Sequence, residues 1–304
     1  MKIVVAGGTG FLGAPLASLL ARDGHEVVVL TRGSHNGGGA KASQVTWTPN
    51  GESGRWASAI DGAGAVVNLA GESIAGKRWS AAQKQRIRDS RLEATRSLTT
   101  AIREAKNPPP VFVSGSAIGY YGPLGDQGVA EDAPPGSDFL ANVCVEWERE
   151  AARAADRTRL VCVRTGVVLE KDGGALPEML PPFKFGVGGP VGSGRQYWAW
   201  IHRDDWLGLV RWAIATPAVT GALNATAPNP VTNAEFARAL GRAMHRPAFM
   251  PAPAFALRLM LGEMADSLLL TGQRVIPAKA TQSGFTFKYA NVDDALRAIF
   301  ARQA

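Results

Sequence analysis

Three features of this 304-residue chain point to an α/β protein, a doubly wound fold on a parallel sheet with a smaller C-terminal lobe. Strand-like and helix-like segments alternate at short intervals through the first third, which implies βαβ units. A glycine-rich turn, Gly7-Gly8-Thr9-Gly10-Phe11-Leu12-Gly13, joins the first strand pattern to the first helix pattern. Hydrophobic residues make up 46% and charged residues 19%, an ordinary globular composition for a length of about two domains or one large α/β unit.

The elements follow in order. Lys2–Ala6 is an apolar, β-branched run, and Phe11–Arg22 carries helical spacing at Phe11, Leu12, Leu16, Leu19 and Leu20. Glu26–Thr31 is a second strand, followed by a glycine-rich loop over Gly33–Gly39. Ala65–Leu69, Val111–Ser114 and Leu160–Arg164 complete the buried strands, and helices fit Ser80–Ala105 and Phe139–Ala155. Residues 1–170 therefore form the sheet domain. After it, Lys171–Gly194 is too rich in Gly and Pro for an ordinary sheet element. Helical patterns return at Asp204–Ala215, Asn233–Met244 and Ala254–Leu270, with Pro-rich connectors at Ala227–Pro230 and Pro247–Pro253. Residues 171–304 are expected to form a smaller substrate lobe over the sheet's carboxyl edge, from which the chain can return in part to the sheet.

The charge balance, 33 basic against 26 acidic residues for a net +7, narrows the partners. Lys77, Arg78, Lys84, Arg86, Arg88 and Arg91 cluster, but Asp89 and Glu93 interrupt them and no aromatics are interleaved. That pattern fits a solvated helix face or an attraction for anionic small molecules, not a nucleic-acid platform. No apolar run approaches the ~18–20 residues of a membrane span. Cys144 and Cys162 form no disulfide framework, and His25, His35, His202 and His245 are scattered beyond metal-ligand spacing. The expectation is a metal-free, cytoplasmic protein with a small-molecule substrate and neither nucleic acid nor membrane as partner; a homodimer is left open.

The glycine turn sits where a dinucleotide fingerprint belongs, between a strand and an amphipathic helix. Glycine is needed there for a tight turn, for close approach to pyrophosphate and for packing helix on strand, while the helix amino terminus offers free N–H groups to phosphate. A Rossmann domain follows. At the end of the second strand, where NAD-preferring folds place an acid for the ribose hydroxyl, stand Thr31 and Arg32. An arginine suits a 2′-phosphate, so NADP is favoured over NAD. Arg91 shares one helical stripe with Ile87, Ala94, Leu98, Ile102 and Ala105, and a charge facing inward must be paired, by the cofactor or by an acid such as Glu72.

The spacing of Gly7, Gly10 and Gly13 resembles the extended short-chain dehydrogenase/reductase superfamily, as do Asn68-Leu69-Ala70-Gly71 and Ile201-His202-Arg203-Asp204-Asp205. The blocks NLAGESIAGKRW, SRLEATR, SGSAIGYYG, DFLANVCVEWE, RTGVVLEKDGGALP and PPFKFGVGGPVGSGRQYWAWIH are similar to one atypical branch, the epimerase family of NADP-binding oxidoreductases of the 39U type. GEMADSLLLTGQRVIPAKATQSGFTF resembles that branch's own carboxyl-terminal module, over roughly residues 250–300. The resemblance implies cofactor contacts at Gly7, Thr9, Gly10, Phe11, Leu12, Gly13, Thr31, Arg32, Leu69, Ala70, Gly71, Arg91 and Val168, and NADP (NADPH) as cofactor.

In the wider superfamily, a serine and a Tyr-x-x-x-Lys pair handle the proton, the ammonium lowering the phenol's pKa. Ser116 matches the serine. Phe139 and Val143 stand at the tyrosine and lysine, and neither can move a proton. A tyrosine restored at 139 alone is expected to find no ammonium nearby. Tyr120, Tyr121 and Lys77 are conceivable substitutes, Tyr121 being better matched to a structural tyrosine. Trp198 replaces an arginine of sugar-nucleotide relatives; with Tyr197 and Trp200 it lines either a planar pocket or the core. Two functions stay open: an NADP-dependent oxidoreductase on an unknown small carbonyl or alcohol, and a non-catalytic NADP(H)-binding protein that reports cofactor state to a partner. Branch members with names tied to cell or plastid division keep the second in play.

Overall fold

The computed structural model describes residues 1–33 and 42–301. Its central sheet has seven parallel strands: β1 (Lys2–Ala6), β2 (Glu26–Thr31), β3 (Ala42–Thr46), β4 (Ala65–Asn68), β5 (Val111–Ala117), β6 (Arg159–Thr165) and β7 (Gly221–Ala225). Their order across the sheet is β7-β6-β5-β4-β1-β2-β3. The chain moves outward from β1 to β3, then resumes on the other side of β1 with β4. That reversal opens a crevice outside the carboxyl ends of β1 and β4, where doubly wound folds bind ligands.

Among the described residues, eight helices of at least eight residues surround and extend the sheet: α1 (Gly13–Arg22), α2 (Ala81–Glu104), α3 (Phe139–Ala152), α4 (Leu176–Lys184), α5 (Arg203–Ala215), α6 (Asn233–Met244), α7 (Ala254–Leu261) and α8 (Val292–Ala301), beside shorter helical turns. The strands are apolar on both faces because both are covered. Ile3, Val5, Val67, Val113 and Val163 share a core with Leu16 and Leu20 of α1 and Trp206 and Val210 of α5. On the opposite face, Val4, Val66, Phe112 and Cys162 meet Ala94, Leu98 and Ile102 of α2 and Ala151 of α3. The Ser80 hydroxyl caps α2, accepting from the Gln83 N–H at 3.2 Å.

Residues 203–225, as α5 and β7, return to the main sheet, so the chain crosses back over residue 170. The smaller lobe is built from α4, α6 and α8 around Trp198, Trp200, Phe236 and Leu296. Within Lys171–Gly194 the Gly and Pro content conceals α4, whose Leu176, Leu180 and Phe183 repeat at helical spacing and are buried. The single helix expected over Ala254–Leu270 is broken: Gly262 has φ +64°, ending α7 before a short turn and a π-helical turn at Asp266–Leu270. Apart from Gly33, the loop read over Gly33–Gly39 lies outside the described residues. No described helix is long and apolar enough to cross a membrane.

Candidate functional site

The glycine turn lies at the crevice between β1 and β4. Gly7 has φ +76°, and a Cβ there would stand 2.7 Å from the Leu69 carbonyl carbon and oxygen. A Cβ on Gly13 would collide with the Gly7 carbonyl oxygen and lie 2.8 Å from Gly8 Cα. These contacts seat α1 against the turn. On the outer side, Thr9 and Gly10 are exposed, and a Cβ on Gly10 would meet only Gly7 O, at 3.3 Å. The helix starts at Leu12 with no side-chain cap and no acid in its first turn. The Ala14 N–H donates to Gly10 O at 3.0 Å and Pro15 has none. Among the described residues it is therefore the N–H groups of Phe11, Leu12 and Gly13, with the helix's partial positive charge, that are left to an outside anion, and the cradle fits a dinucleotide's phosphates.

The opposite wall follows β4. The Leu69 N–H donates to Ala6 O at 2.9 Å, and Asn68 turns the chain by accepting from the Ala70 N–H at 3.2 Å. Asn68 Nδ2 is held on Thr95 Oγ1 at 2.9 Å, and Trp147 Nε1 donates to the same oxygen at 2.8 Å. Beyond them, Gly71 touches Arg91: a Cβ at 71 would lie 3.2 Å from Arg91 Cγ and 3.5 Å from its Nη1. Arg91 donates to Ile87 O at 2.8 Å, and its guanidinium lies 5.3 Å from the Trp147 ring centroid. Burial lowers its pKa from the usual arginine range, with the charges of Cys144 and Glu72 opposing only in part. The ion pair with Glu72 does not form among the described residues; Glu72 instead presents its N–H to Ser90 Oγ at 2.9 Å. Arg91 is thus a part-buried cation at the crevice with no carboxylate within ion-pair distance among the described residues.

The remaining contacts expected from sequence fall around this cradle. Thr31 ends β2, its hydroxyl donating to Gly33 O at 3.0 Å, and Arg32 beyond it is exposed. Val168 lies in a short strand beside Ile201. A Cβ on Gly174 would come within 2.8 Å of the Phe11 ring and 3.2 Å of Val168 O, so the loop after Val168 closes over Phe11.

Ser116 sits at the carboxyl end of β5, yet its hydroxyl does not face an open cleft. It donates to Glu148 Oε1 at 2.7 Å. Glu148 is clasped by Arg164, Nε to Oε1 at 2.8 Å and Nη2 to Oε2 at 2.9 Å. Arg164 Nη1 also donates to Tyr121 Oη at 2.9 Å, which donates onward to Asn224 Oδ1 at 2.7 Å. The Tyr120 ring centroid is 3.4 Å from the Arg164 guanidinium carbon. Burial raises the Tyr121 pKa, so this buried phenol is a structural tie between β6 and β7, not a poised acid. The geometry likewise makes Ser116 a strut of a buried network. Glu148 and Arg164 were not singled out from the sequence. The available signal was a charge inside the otherwise buried run of β6, which demands a partner.

Phe139 opens α3 against Trp79, edge to face with centroids 5.2 Å apart, and Val143 is buried. One expectation is corrected: Lys84 Nζ, from α2, lies 4.8 Å from the Phe139 ring centroid. A tyrosine at 139 would therefore find an ammonium, although Glu263 holds it at 2.6 Å. Trp198 and Trp200 belong to the core of the smaller lobe, and Tyr197 is half-buried.

Comparison with known proteins accords with this architecture. Residues 3–225 match the NAD dependent epimerase/dehydratase family, and residues 252–299 match a domain of unknown function. The chain is 43% identical over 307 residues to the Arabidopsis thaliana "Epimerase family protein SDR39U1 homolog, chloroplastic", covering 98% of this chain and 86% of that one. It is 40% identical over 304 residues to human "Epimerase family protein SDR39U1", covering 99% and 100%. The crystal structure of human SDR39U1 (isoform 2) with NADPH superimposes with TM-score 0.91 at 38% identity, covering 99% of each chain. With its Rossmann sheet, its fingerprint at the switch point and full-length relatives, this chain belongs to the NAD dependent epimerase/dehydratase family, as one of the SDR39U1-like epimerase family proteins.

Proposed function

We propose that this chain binds NADPH at the β1–β4 crevice and is an oxidoreductase for a small carbonyl or alcohol, with a proton step not served by a Tyr-x-x-x-Lys pair. The observation that carries the reading is Arg91, desolvated beside Gly71 with no carboxylate pairing it. The NADPH-bound human structure, at 38% identity over 99% of the chain, supports it. Gly7 to Gly13 would hold the pyrophosphate, Arg32 the 2′-phosphate, and Leu69, Ala70, Gly71, Arg91 and Val168 the remainder. Bound NADPH supplies a hydride; the chain's own residues hold the phosphates and exclude water. The two free, buried cysteines suit a reducing, cytoplasmic setting, burial pushing the Cys144 thiol up to about 12.

Arg32→Ala is expected to weaken NADPH by ten- to a hundredfold, the loss of about 1.5–3 kcal/mol for a charge-assisted phosphate contact, while NADH affinity stays unchanged. Titration of both cofactors against both proteins checks this. Arg91→Met keeps the side-chain stem and deletes a part-buried charge that no carboxylate pairs among the described residues, so the apo protein should melt no earlier than wild type while NADPH affinity falls. An apo protein that collapses while its folded fraction binds normally would make Arg91 structural.

Single-turnover oxidation of bound NADPH across a carbonyl library tests the chemistry. A positioned general acid contributes ~10²–10⁴-fold, so simple aldehydes and ketones should react at least ~10²-fold below the ~1–10³ per second usual for enzymes. Ordinary rates would show that another group delivers the proton. A second reading, an NADP(H)-binding protein acting through a partner, is favoured by one observation: the Ser116 hydroxyl is committed to Glu148. NADPH that no carbonyl oxidises, bound by a protein whose partner affinity depends on it, would select that reading.

A further inference from the structure

Phe185, Phe249, Phe255, Leu259 and Met260 are all between 70% and 82% exposed. They share one surface. The segment around Gly188 runs beside Ala248, with the Met250 N–H donating to Gly188 O at 3.1 Å, which brings the end of α4, at Phe185, to the segment that carries Phe249. α7 follows directly, with Phe255 and Leu259 one turn apart on its outer side. None of the eight residues of α7 is buried. A helix this short is not held by propensity alone, and the side that carries Phe255, Leu259 and Met260 is exposed among the described residues. Exposed apolar surface of this kind marks a docking site.

Charge and shape select the occupant. Arg238, Arg242, His245 and Arg246 line one depression with Phe249, and Lys184 precedes Phe185. Arg242 is paired with Asp293 at 2.7 Å; Lys184, Arg238 and Arg246 are exposed and form no ion pair among the described residues. A second copy docked on the same face would set these cations against their own equivalents. Phe185, Phe255, Leu259 and Met260 are about as exposed as Phe249, as anchors for a fluid apolar phase are. We infer that this face binds the surface of an anionic lipid bilayer, α7 lying in the headgroup region and Lys184, Arg238 and Arg246 meeting the lipid charges. The sequence-based expectation was no membrane partner of any kind, and this inference departs from it.

Sedimentation with phosphatidylcholine vesicles, and with vesicles carrying about one third phosphatidylglycerol, tests it. Each cation near an anionic leaflet contributes roughly fivefold, so the bound fraction should rise at least ~10-fold on anionic vesicles and fall as salt is raised. Phe255→Ser with Leu259→Ser should reduce binding to background with an unchanged melting curve, since neither side chain is part of the core. Arg238→Glu with Arg246→Glu should remove the preference for anionic lipid. The inference is overturned if neither vesicle sediments the chain, or if the Phe255→Ser, Leu259→Ser protein binds as well as wild type. It is equally overturned by a wild-type dimer that binds no vesicles and that the same two substitutions convert to monomer, which would make the face an interface between copies.

Discussion

Arg164→Met is expected to destabilise the fold by about 3–5 kcal/mol, because it strands Glu148 as an unpaired charge between sheet and helix. For a chain of 304 residues that corresponds to a fall in Tm of roughly 5–8 °C. Burial alone would lower the Arg164 pKa, but the hydrogen bonds and charge of Glu148, with Tyr121, outweigh it and hold the pKa above the usual range. Arg164 therefore stays charged at any working pH and donates no proton. Its loss also takes a donor from Tyr121 and the stacked cation from Tyr120, and cuts the link by which Glu148 ties Ser116 of β5 to β6. Replacing both partners, Arg164→Met with Glu148→Met, should recover most of the stability, since removing a buried pair outright is often close to neutral. Denaturant titration of the three proteins checks the order. A single Arg164→Met change costing under about 1 kcal/mol would mean that water reaches Glu148.

The second large effect is expected at Gly13. The added methyl of Gly13→Ala has no free volume, meeting the Gly7 carbonyl group and Gly8 Cα. Relief requires shifting the first turn of α1 away from β1, at a strain of typically ~1–3 kcal/mol. That shift also carries the helix amino terminus off the phosphates, and NADPH affinity should drop by on the order of a hundredfold or more. Gly125→Ala is the control: nothing lies within 4 Å of its Cβ position, and both stability and binding should be unchanged. Tight NADPH binding by Gly13→Ala would show that the turn is not the phosphate site.

Much of this molecule is legible in the sequence because its strongest signals are local. Lys2–Ala6, Glu26–Thr31 and Asn233–Met244 have the bounds that their apolar periodicity indicates. β3 and β7 escape because their sequences, ASQVT and GALNA, are short and weak in β-branched residues; their place is set by the sheet edges they complete. The cofactor cradle is legible because its glycine spacing is local, Gly13 being forced by the Gly7 carbonyl, although Gly7 itself is forced by Leu69 across the crevice. The Ser116–Glu148–Arg164 network and the approach of Lys84 to Phe139 are not, because they join separate elements and no spacing rule connects them. Ser116 could be placed by motif, but the direction in which its hydroxyl is spent depends on a helix that follows.

The most direct test of the central claim is a calorimetric titration of NADPH and NADH into the wild-type chain at one ionic strength. The geometry of the β1–β4 crevice, with Arg32 beyond β2 and Arg91 beside Gly71, predicts saturable one-to-one binding of NADPH, tighter than NADH by roughly ten- to a hundredfold. Equal affinities would contradict the role of Arg32, and the absence of binding by either cofactor would contradict the account as a whole.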